Sequence, residues 1–278
     1  MNPRRPSSAA RHPLGLLSAL STLLFFSSSA PAVAPADLAA ADPAARDAAR
    51  QALLVSANAA SVPTLASQLG SPDTFDDACF LLESLRLPAA DAALADGLGR
   101  TADARQQAAL LNALSRRACA AATEKALSLA SAADPAGPAA ARYLLSVTRV
   151  ADWKRLPLSA TAHADAFLYA TERLPPKARA DAAPFCDAIL HSALPDQTRL
   201  AAFCTILRAD PSRTAALLPE GLSNASSVWR GTTARLAAQL PEKALSRLGP
   251  RFVRALPSPG RLALIGALAD AKSRAGAP

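Results

Sequence analysis

Proline or glycine interrupts this sequence at short intervals, and the segments between these interruptions consist mainly of alanine and leucine. The 278 residues include 71 Ala and 43 Leu, whereas the β-branched and aromatic residues that favour strands are scarce. Within the segments, apolar positions recur at helical spacing. Because Ala has the highest intrinsic helix propensity and Pro and Gly end helices, the pattern predicts an all-α protein made of many short helices.

The predicted helices are short and follow one another closely. Two examples of predicted starts are Ser71-Pro72-Asp73 and Asp134-Pro135. In each, a Ser or Asp that can cap the helix comes directly before a proline of the first turn. Short linkers between helices of this length place successive helices antiparallel. The predicted helices span 38–57, 62–69, 73–86, 89–99, 102–117, 119–132, 136–149, 159–173, 176–192, 196–209, 212–219, 224–239, 242–256 and 259–273.

A short phrase with a central Leu-Leu pair occurs at 78–85, at 107–114 and, more weakly, at 141–148. The pairs themselves stand at 81–82, 110–111 and 144–145, and 201–207 is a degenerate fourth copy. A period of roughly 30 residues is typical of a two-helix unit that buries its apolar face only by stacking on its neighbours.

Residues 62–150 resemble the HEAT-repeat family. The resemblance consists of paired Ala/Leu helices, Pro or Asp at helix starts, and the phrase Pro88-Ala-Ala-Asp91-Ala-Ala-Leu94, which is similar to the first helix of a HEAT unit. The chain departs from the family in its irregular spacing, in lacking a regular Asp/Arg pair between helices, and in a proline-rich second half. The resemblance implies an α-solenoid of stacked antiparallel helix pairs that serves protein contacts, with no catalytic residues. A closed globular helical bundle is the alternative.

Residues 1–36 have the pattern of a secretory signal peptide, with three arginines and no acid, a mostly apolar stretch at 14–26, and small residues up to Ala36. Cleavage is expected after Ala36 and alternatively after Ala34. A short buried N-terminal helix and an uncleaved signal anchor are the other interpretations. The predicted organisation is thus a signal peptide at 1–36 and a helical repeat domain at 37–278. We expect a periplasmic or secreted protein with no transmembrane segment after signal removal.

The basic character of the chain is concentrated near its end. The stretch 199–278 contains 12 basic and 4 acidic residues, whereas 37–198 contains 15 basic and 18 acidic residues. Such an excess can attract an anionic polymer, although a solvated face is the simpler interpretation. By helical spacing, four basic residues share one face, interrupted by Gly249-Pro250. They are Lys243, Arg247, Arg251 and Arg254.

The four cysteines form no C-x-x-C pair, which argues against a zinc ribbon or a thioredoxin-type site. In an exported protein their even number permits disulfides. Cys186 and Cys204 lie on adjacent predicted helices, and a bridge between them would close a loop worth ~3 kcal/mol. Cys79 with Cys119 is a second possible pair, and four buried free thiols are the third interpretation.

No residue pattern in this sequence defines a catalytic centre. His163 and His191 lie on different predicted helices with no metal-binding motif, and G-x-S-x-G and P-loop motifs are missing. Trp153 and Trp229 are the only tryptophans, and each is interpreted either as an exposed anchor for a partner or as a bulky core residue.

These observations favour an exported, non-catalytic helical-repeat scaffold that binds an unidentified protein partner. The alternative is a module that binds an anion or an envelope polymer through the basic C-terminal stretch 199–278. An enzyme with a scattered site would need His163 or His191 in a cleft with carboxylates. No cofactor, metal or nucleic-acid partner is expected.

Overall fold

The computed structural model of the chain describes residues 35–240 and 249–275, and within these ranges no residue lies in a strand. The predicted all-α class is confirmed. Residues 1–34, most of the predicted leader, and 242–248, the start of one predicted helix, lie outside the described residues. The helices are α1 (Pro43–Ser56), α2 (Val62–Gln68), α3 (Phe75–Ser84), α4 (Pro88–Arg100), α5 (Ala104–Arg116), α6 (Thr123–Leu129), α7 (Ala136–Val147), α8 (Ala164–Arg173), α9 (Pro176–Leu190), α10 (Asp196–Ala209), α11 (Thr214–Ser223), α12 (Ser227–Ala238), α13 (Gly249–Ala255) and α14 (Ser258–Ala275).

Capping aspartates mark the starts of two helices, α1 and α5. Asp42 accepts hydrogen bonds from the first backbone N–H groups of α1, and Asp103 does the same for α5. The helix predicted over 38–57 is divided in the structure into a 3-10 helix (Pro35–Ala39) and α1. The division falls at Asp42-Pro43, because this aspartate caps α1 and the proline begins it. Leu38 in that 3-10 helix is fully buried, so the packed body begins close to the predicted cleavage point.

Helices pack on their second neighbours as well as on their immediate ones. In the first half, α1 contacts α3, α3 contacts α5 and α5 contacts α7. In the second half, α8 contacts α10, α10 contacts α12 and α12 contacts α14. Short linkers join these helices to the ones between them, so that α4, for example, contacts both α3 and α5.

The repeated Leu-Leu phrase supplies the core of this packing. All six leucines are at most 1% exposed: Leu81 and Leu82 on α3, Leu110 and Leu111 on α5, and Leu144 and Leu145 on α7. In the degenerate copy, Ile206 and Leu207 on α10 are also buried. The sequence repeat therefore corresponds to equivalent buried positions on helices that pack in succession.

Two hydrophobic clusters meet at α7, most of whose residues are buried. Leu144 belongs to the first cluster and Leu145 to the second. The hydroxyl of Tyr143 on this helix donates to the carbonyl of Cys119 at 2.8 Å and accepts from the N–H of Ala122 at 3.0 Å. Burial of this hydroxyl raises the pKa of Tyr143. The α5–α6 linker is thereby fixed to the helix that both clusters share.

The fourth residue of several helices donates back to the preceding linker. The guanidinium of Arg179 on α9 donates to the carbonyls of Leu174 at 2.7 Å and Glu172 at 2.8 Å. Three other arginines form equivalent bonds: Arg199 to Leu190 O, Arg230 to Asn224 O and Ala225 O, and Arg261 to Leu256 O. On α5 the donor is an amide, since Gln107 donates to Thr101 O. These bonds satisfy carbonyls left unpaired at and just after helix ends. Positions 199, 230 and 261 are evenly spaced, so the second half has a period of its own.

Candidate functional site

An open cleft of about 590 Å³ lies where the C-terminal ends of α3, α5 and α8 meet the start of α4. We call it the arginine cleft. Its lining residues are Glu83, Arg86, Leu87, Pro88, Asp91, Arg116, Arg117 and Arg173. Four arginines against two carboxylates give this set a formal charge of +2.

Arg116 and Glu83 form a two-pronged ion pair on one side of the cleft. The Nε and one Nη atom of Arg116 each donate to a different carboxylate oxygen of Glu83. This hydrogen bonding raises the pKa of Arg116, against an opposing effect of burial, and the negative charge of Glu83 raises it further. The side chain of Arg116 is half exposed, so the pair is part of the cleft surface.

Arg117 belongs to the frame of the cleft, because its side chain is only 9% exposed. Its Nε atom pairs with Asp91 at the start of α4. Its Nη atoms donate to the carbonyls of Glu83 at 2.7 Å and Leu87 at 3.1 Å. One guanidinium therefore joins three elements, and its charge is compensated by Asp91 and by helix-end carbonyls.

Arg86 and Arg173 differ from the other two arginines of the cleft. Both are exposed, and neither forms an ion pair or a guanidinium hydrogen bond with any residue that the structure describes. The guanidinium carbon of Arg173 lies 5.4 Å from the ring centroid of Tyr169, which is 40% exposed. The cleft thus presents two uncompensated guanidinium groups beside an accessible aromatic ring.

These arginines were not among the residues predicted from the sequence. Counting charges over 37–198 gives a net value of −3, which hides a local excess of arginine. The repeat does contain a signal, because Arg86 follows its Leu-Leu pair by four residues and Arg116 follows its own by five. Alignment of the repeat copies would therefore have placed both arginines at the same end of second-neighbour helices.

Trp153 and Trp229 lie in the interior, at 1% and 2% exposure, which agrees with the core interpretation of both residues and not with the exposed-anchor one. Trp153 packs edge-on against Phe167 and Phe185, with ring centroids 5.6 and 5.5 Å away. Trp229 packs against Phe203 at 5.3 Å. Neither ring offers a surface to a partner.

The basic stripe predicted near the end is described only in part. Lys243 and Arg247 lie outside the described residues, while Arg251 and Arg254 are exposed on α13. Other basic residues of the stretch 199–278 have partners within the fold. Arg213 donates to Asp187 at 2.6 Å, and Arg199, Arg230 and Arg261 bind backbone carbonyls. Much of the basic excess therefore has internal partners.

All four cysteines are free thiols in the structure, so the pairing suggested for Cys186 and Cys204 is not present in it. The sulfur of Cys186 on α9 lies 3.9 Å from Thr171 Oγ1 on α8. Burial raises the pKa of Cys186 to about 11 and that of Cys79 to about 12. These buried, neutral thiols are poor nucleophiles and poor metal ligands.

His163 and His191 have separate structural surroundings. The ring of His163 contacts the backbone of Ser159 through Nδ1, at 3.2 Å from N and 3.1 Å from O, and the carbonyl of Ala130 through Nε2 at 3.3 Å. His191 Nδ1 lies 2.9 Å from the carbonyl of Asp187. Within residues 35–240 and 249–275, no three His, Cys, Asp or Glu side chains are grouped so as to hold a metal ion.

A scan against protein-family models finds no match, and a search of curated proteins finds no significant relative. None of the helices in the described part of the chain combines the length and apolarity needed to cross a membrane.

Proposed function

We propose that this protein is an exported, HEAT-like α-solenoid scaffold that binds a partner protein and carries no chemistry of its own. The observation that carries the proposal is the packing of second-neighbour helices, α1 to α3 to α5 to α7 and α8 to α10 to α12. In a solenoid, each unit contacts mainly the units before and after it. The buried Leu-Leu pairs on α3, α5 and α7 support the same arrangement.

Stacking of this kind brings equivalent helix ends to one edge, and that edge contains the arginine cleft. Phe80, one turn before Glu83 on α3, is 47% exposed, and Tyr169 beside Arg173 is 40% exposed. Arginine and aromatic side chains are enriched among the residues that dominate protein interfaces. We therefore assign partner binding to this edge.

Export is supported by the basic, apolar and small-residue succession of 1–36. We infer a periplasmic or secreted location for the domain at 37–278. The test is fractionation of expressing cells followed by mass measurement of the protein. A chain that starts at residue 37 or 35 in the exported fraction supports the proposal, and an intact chain confined to the cytoplasm contradicts it.

Partner binding is tested by site-specific photo-crosslinking in cells that export the protein. A photoreactive phenylalanine analogue replaces Tyr169 at the cleft and, as a control, the 91% exposed Val55 on α1. The proposal predicts a discrete protein adduct from position 169 and none at position 55. Absence of an adduct from position 169 and also from position 80 contradicts it.

A second candidate is a module that binds an anion or an envelope polymer through the basic stretch 199–278. It is supported by exposed Arg251 and Arg254 on α13. Substitution of the exposed arginines on α13 separates the two candidates, because only the second candidate depends on them. Unchanged partner binding in Arg251→Gln/Arg254→Gln favours the scaffold, and loss of binding favours the anion-binding module.

A further inference from the structure

We infer that the arginine cleft binds a carboxylate-rich segment of a partner protein, with Arg86 and Arg173 as direct contacts. This inference rests on the proposed scaffold function and specifies the chemistry of its partner. It places anion recognition within residues 37–198, whereas charge counting placed it in the stretch 199–278.

The first reason is that two of the four guanidinium groups have no partner. Glu83 neutralises Arg116 and Asp91 neutralises Arg117, which leaves the charges of Arg86 and Arg173 uncompensated among the described residues. Arginines gather at helix C-terminal ends because the helix dipole is negative there. Neither guanidinium caps a helix directly, because neither donates to a backbone carbonyl of the described residues, in contrast to Arg117.

The second reason is the rigidity of the frame around them. The buried guanidinium of Arg117 fixes the α3–α4 linker, which contains Arg86, against the end of α5. Arg173 is held over the ring of Tyr169 at 5.4 Å. A site whose walls are already ordered loses less conformational entropy when a ligand binds.

The chemistry of the lining favours carboxylates over phosphates. The arginines of the cleft already bind carboxylates, since Glu83 and Asp91 are their internal partners. Leu87, Pro88 and Tyr169 add apolar surface that suits the side chains and backbone of a peptide. The cleft volume of about 590 Å³ accommodates several peptide residues.

The test measures binding of a fluorescent hexaglutamate peptide to the purified protein, with hexaglutamine as the uncharged control. The variant Arg86→Gln/Arg173→Gln removes both free guanidinium groups. The matched control Arg251→Gln/Arg254→Gln removes two exposed arginines of the basic stripe and changes the net charge equally. We expect the cleft variant to bind hexaglutamate about tenfold more weakly and the control to stay within about twofold of the wild type.

Three results would overturn the inference: hexaglutamate does not bind more tightly than hexaglutamine, the two variants weaken binding equally, or inorganic phosphate displaces the peptide at lower concentration than free glutamate does. The crosslinking experiment at position 169 is then repeated in the Arg86→Gln/Arg173→Gln background. Loss of the adduct supports the inference. An unchanged adduct contradicts the carboxylate inference and leaves the proposed scaffold function standing. If the wild-type protein binds hexaglutamate but forms no adduct in cells, the proposed scaffold function is contradicted and the anion-binding chemistry of the cleft stands.

Discussion

Arg117 pairs with Asp91 of the preceding helix, and the same guanidinium donates to the carbonyls of Glu83 at 2.7 Å and Leu87 at 3.1 Å. From the sequence, no regular Asp/Arg pair between helices was expected. The structure contains this pair and also Asp187 with Arg213, and the two pairs have the same separation along the chain. The two pairs differ in position, because Asp91 lies in the first turn of α4 and Asp187 in the last turn of α9.

Replacement of Arg117 by alanine leaves Asp91 without its partner and several carbonyls without a donor. Because the arginine side chain is only 9% exposed, we expect Arg117→Ala to lower the free energy of unfolding by about 3 kcal/mol. Urea unfolding followed by circular dichroism measures this change. Arg116→Ala is the adjacent control, and because its side chain is half exposed we expect a loss below about 1 kcal/mol. Equal losses in the two variants would contradict a special role for Arg117.

Most of the helices could be predicted from local sequence, because proline, glycine or capping residues stand near their ends; α6, between Ala122 and Ala130, is an exception. Predicted 176–192 and 196–209 correspond to the observed Pro176–Leu190 and Asp196–Ala209. The burial of the Leu-Leu pairs also follows from helical spacing alone. The burial of Trp153 could not be predicted from local patterns, because it depends on Phe167 of α8 and Phe185 of α9.

The cleft shows the same limit. It unites Glu83 and Arg173, which lie far apart in the sequence, and their proximity depends on how α3, α5 and α8 pack. Composition also pointed elsewhere, since the basic excess lies in 199–278. Three of those arginines, at 199, 230 and 261, bind the backbone. The sequence shows this use as a Pro-x-x-x-Arg spacing at 195–199 and 257–261, which also occurs at 175–179.

The arginine at the fourth residue of a helix is expected to stabilise the preceding turn. Arg179→Ala removes the donors that reach Leu174 O and Glu172 O, and we predict a loss of about 1–2 kcal/mol in the free energy of unfolding. Lys177→Ala, an exposed change on the same helix, is the control and should cost less than about 0.5 kcal/mol. Arg179→Lys should recover only part of the loss, because lysine lacks the forked donor geometry. Full recovery by lysine would show that charge alone matters.

Two glycines on α14 provide a matched pair of substitutions. A Cβ atom at Gly260 would lie 2.1 Å from the carbonyl oxygen of Leu222 at the end of α11, whereas nothing lies within 4 Å of a Cβ atom at Gly266. Gly260→Ala should therefore destabilise the protein by about 1–3 kcal/mol, because backbone must shift. Gly266→Ala should stabilise it by up to about 1 kcal/mol through helix propensity. Thermal unfolding of both variants checks this, and the same sign for both would refute the close approach of α14 to α11.

Buried thiols make the fold sensitive to alkali. The pKa values of Cys79 and Cys186 are raised from 9.0 to about 12 and about 11, mainly by burial. The unfolded chain therefore releases thiol protons from about pH 9, while the native chain retains them until its higher pKa values are reached. This stabilisation is complete below about pH 9 and is lost as the pH rises towards 11–12.

Urea unfolding between pH 8 and pH 10.5 measures that loss. We expect the free energy of unfolding to fall by about 2 kcal/mol for each thiol over this range. In the variant Cys79→Ala/Cys186→Ala, the free energy of unfolding should fall less over this pH range, by about 2 kcal/mol for each thiol removed. This comparison of slopes holds whatever the absolute stability of the variant. Tyr143 has a raised pKa as well and is present in both proteins, so its contribution cancels from the comparison. Identical slopes in the two proteins would contradict the assigned burial of the thiols.

The accessibility of the four cysteines gives an independent measurement. Cys79 and Cys186 are buried, whereas Cys119 and Cys204 are partly exposed. We expect a thiol reagent at pH 8 to label the two partly exposed cysteines of the native protein first and all four after unfolding in denaturant without reductant. Slow reaction at Cys79 and Cys186 follows from both their burial and their high pKa, because the thiolate is the reactive form. If the unfolded, unreduced protein titrates only two thiols, and mass spectrometry joins Cys186 to Cys204, the bridge suggested by the sequence forms in the exported protein and the free-thiol arrangement is wrong.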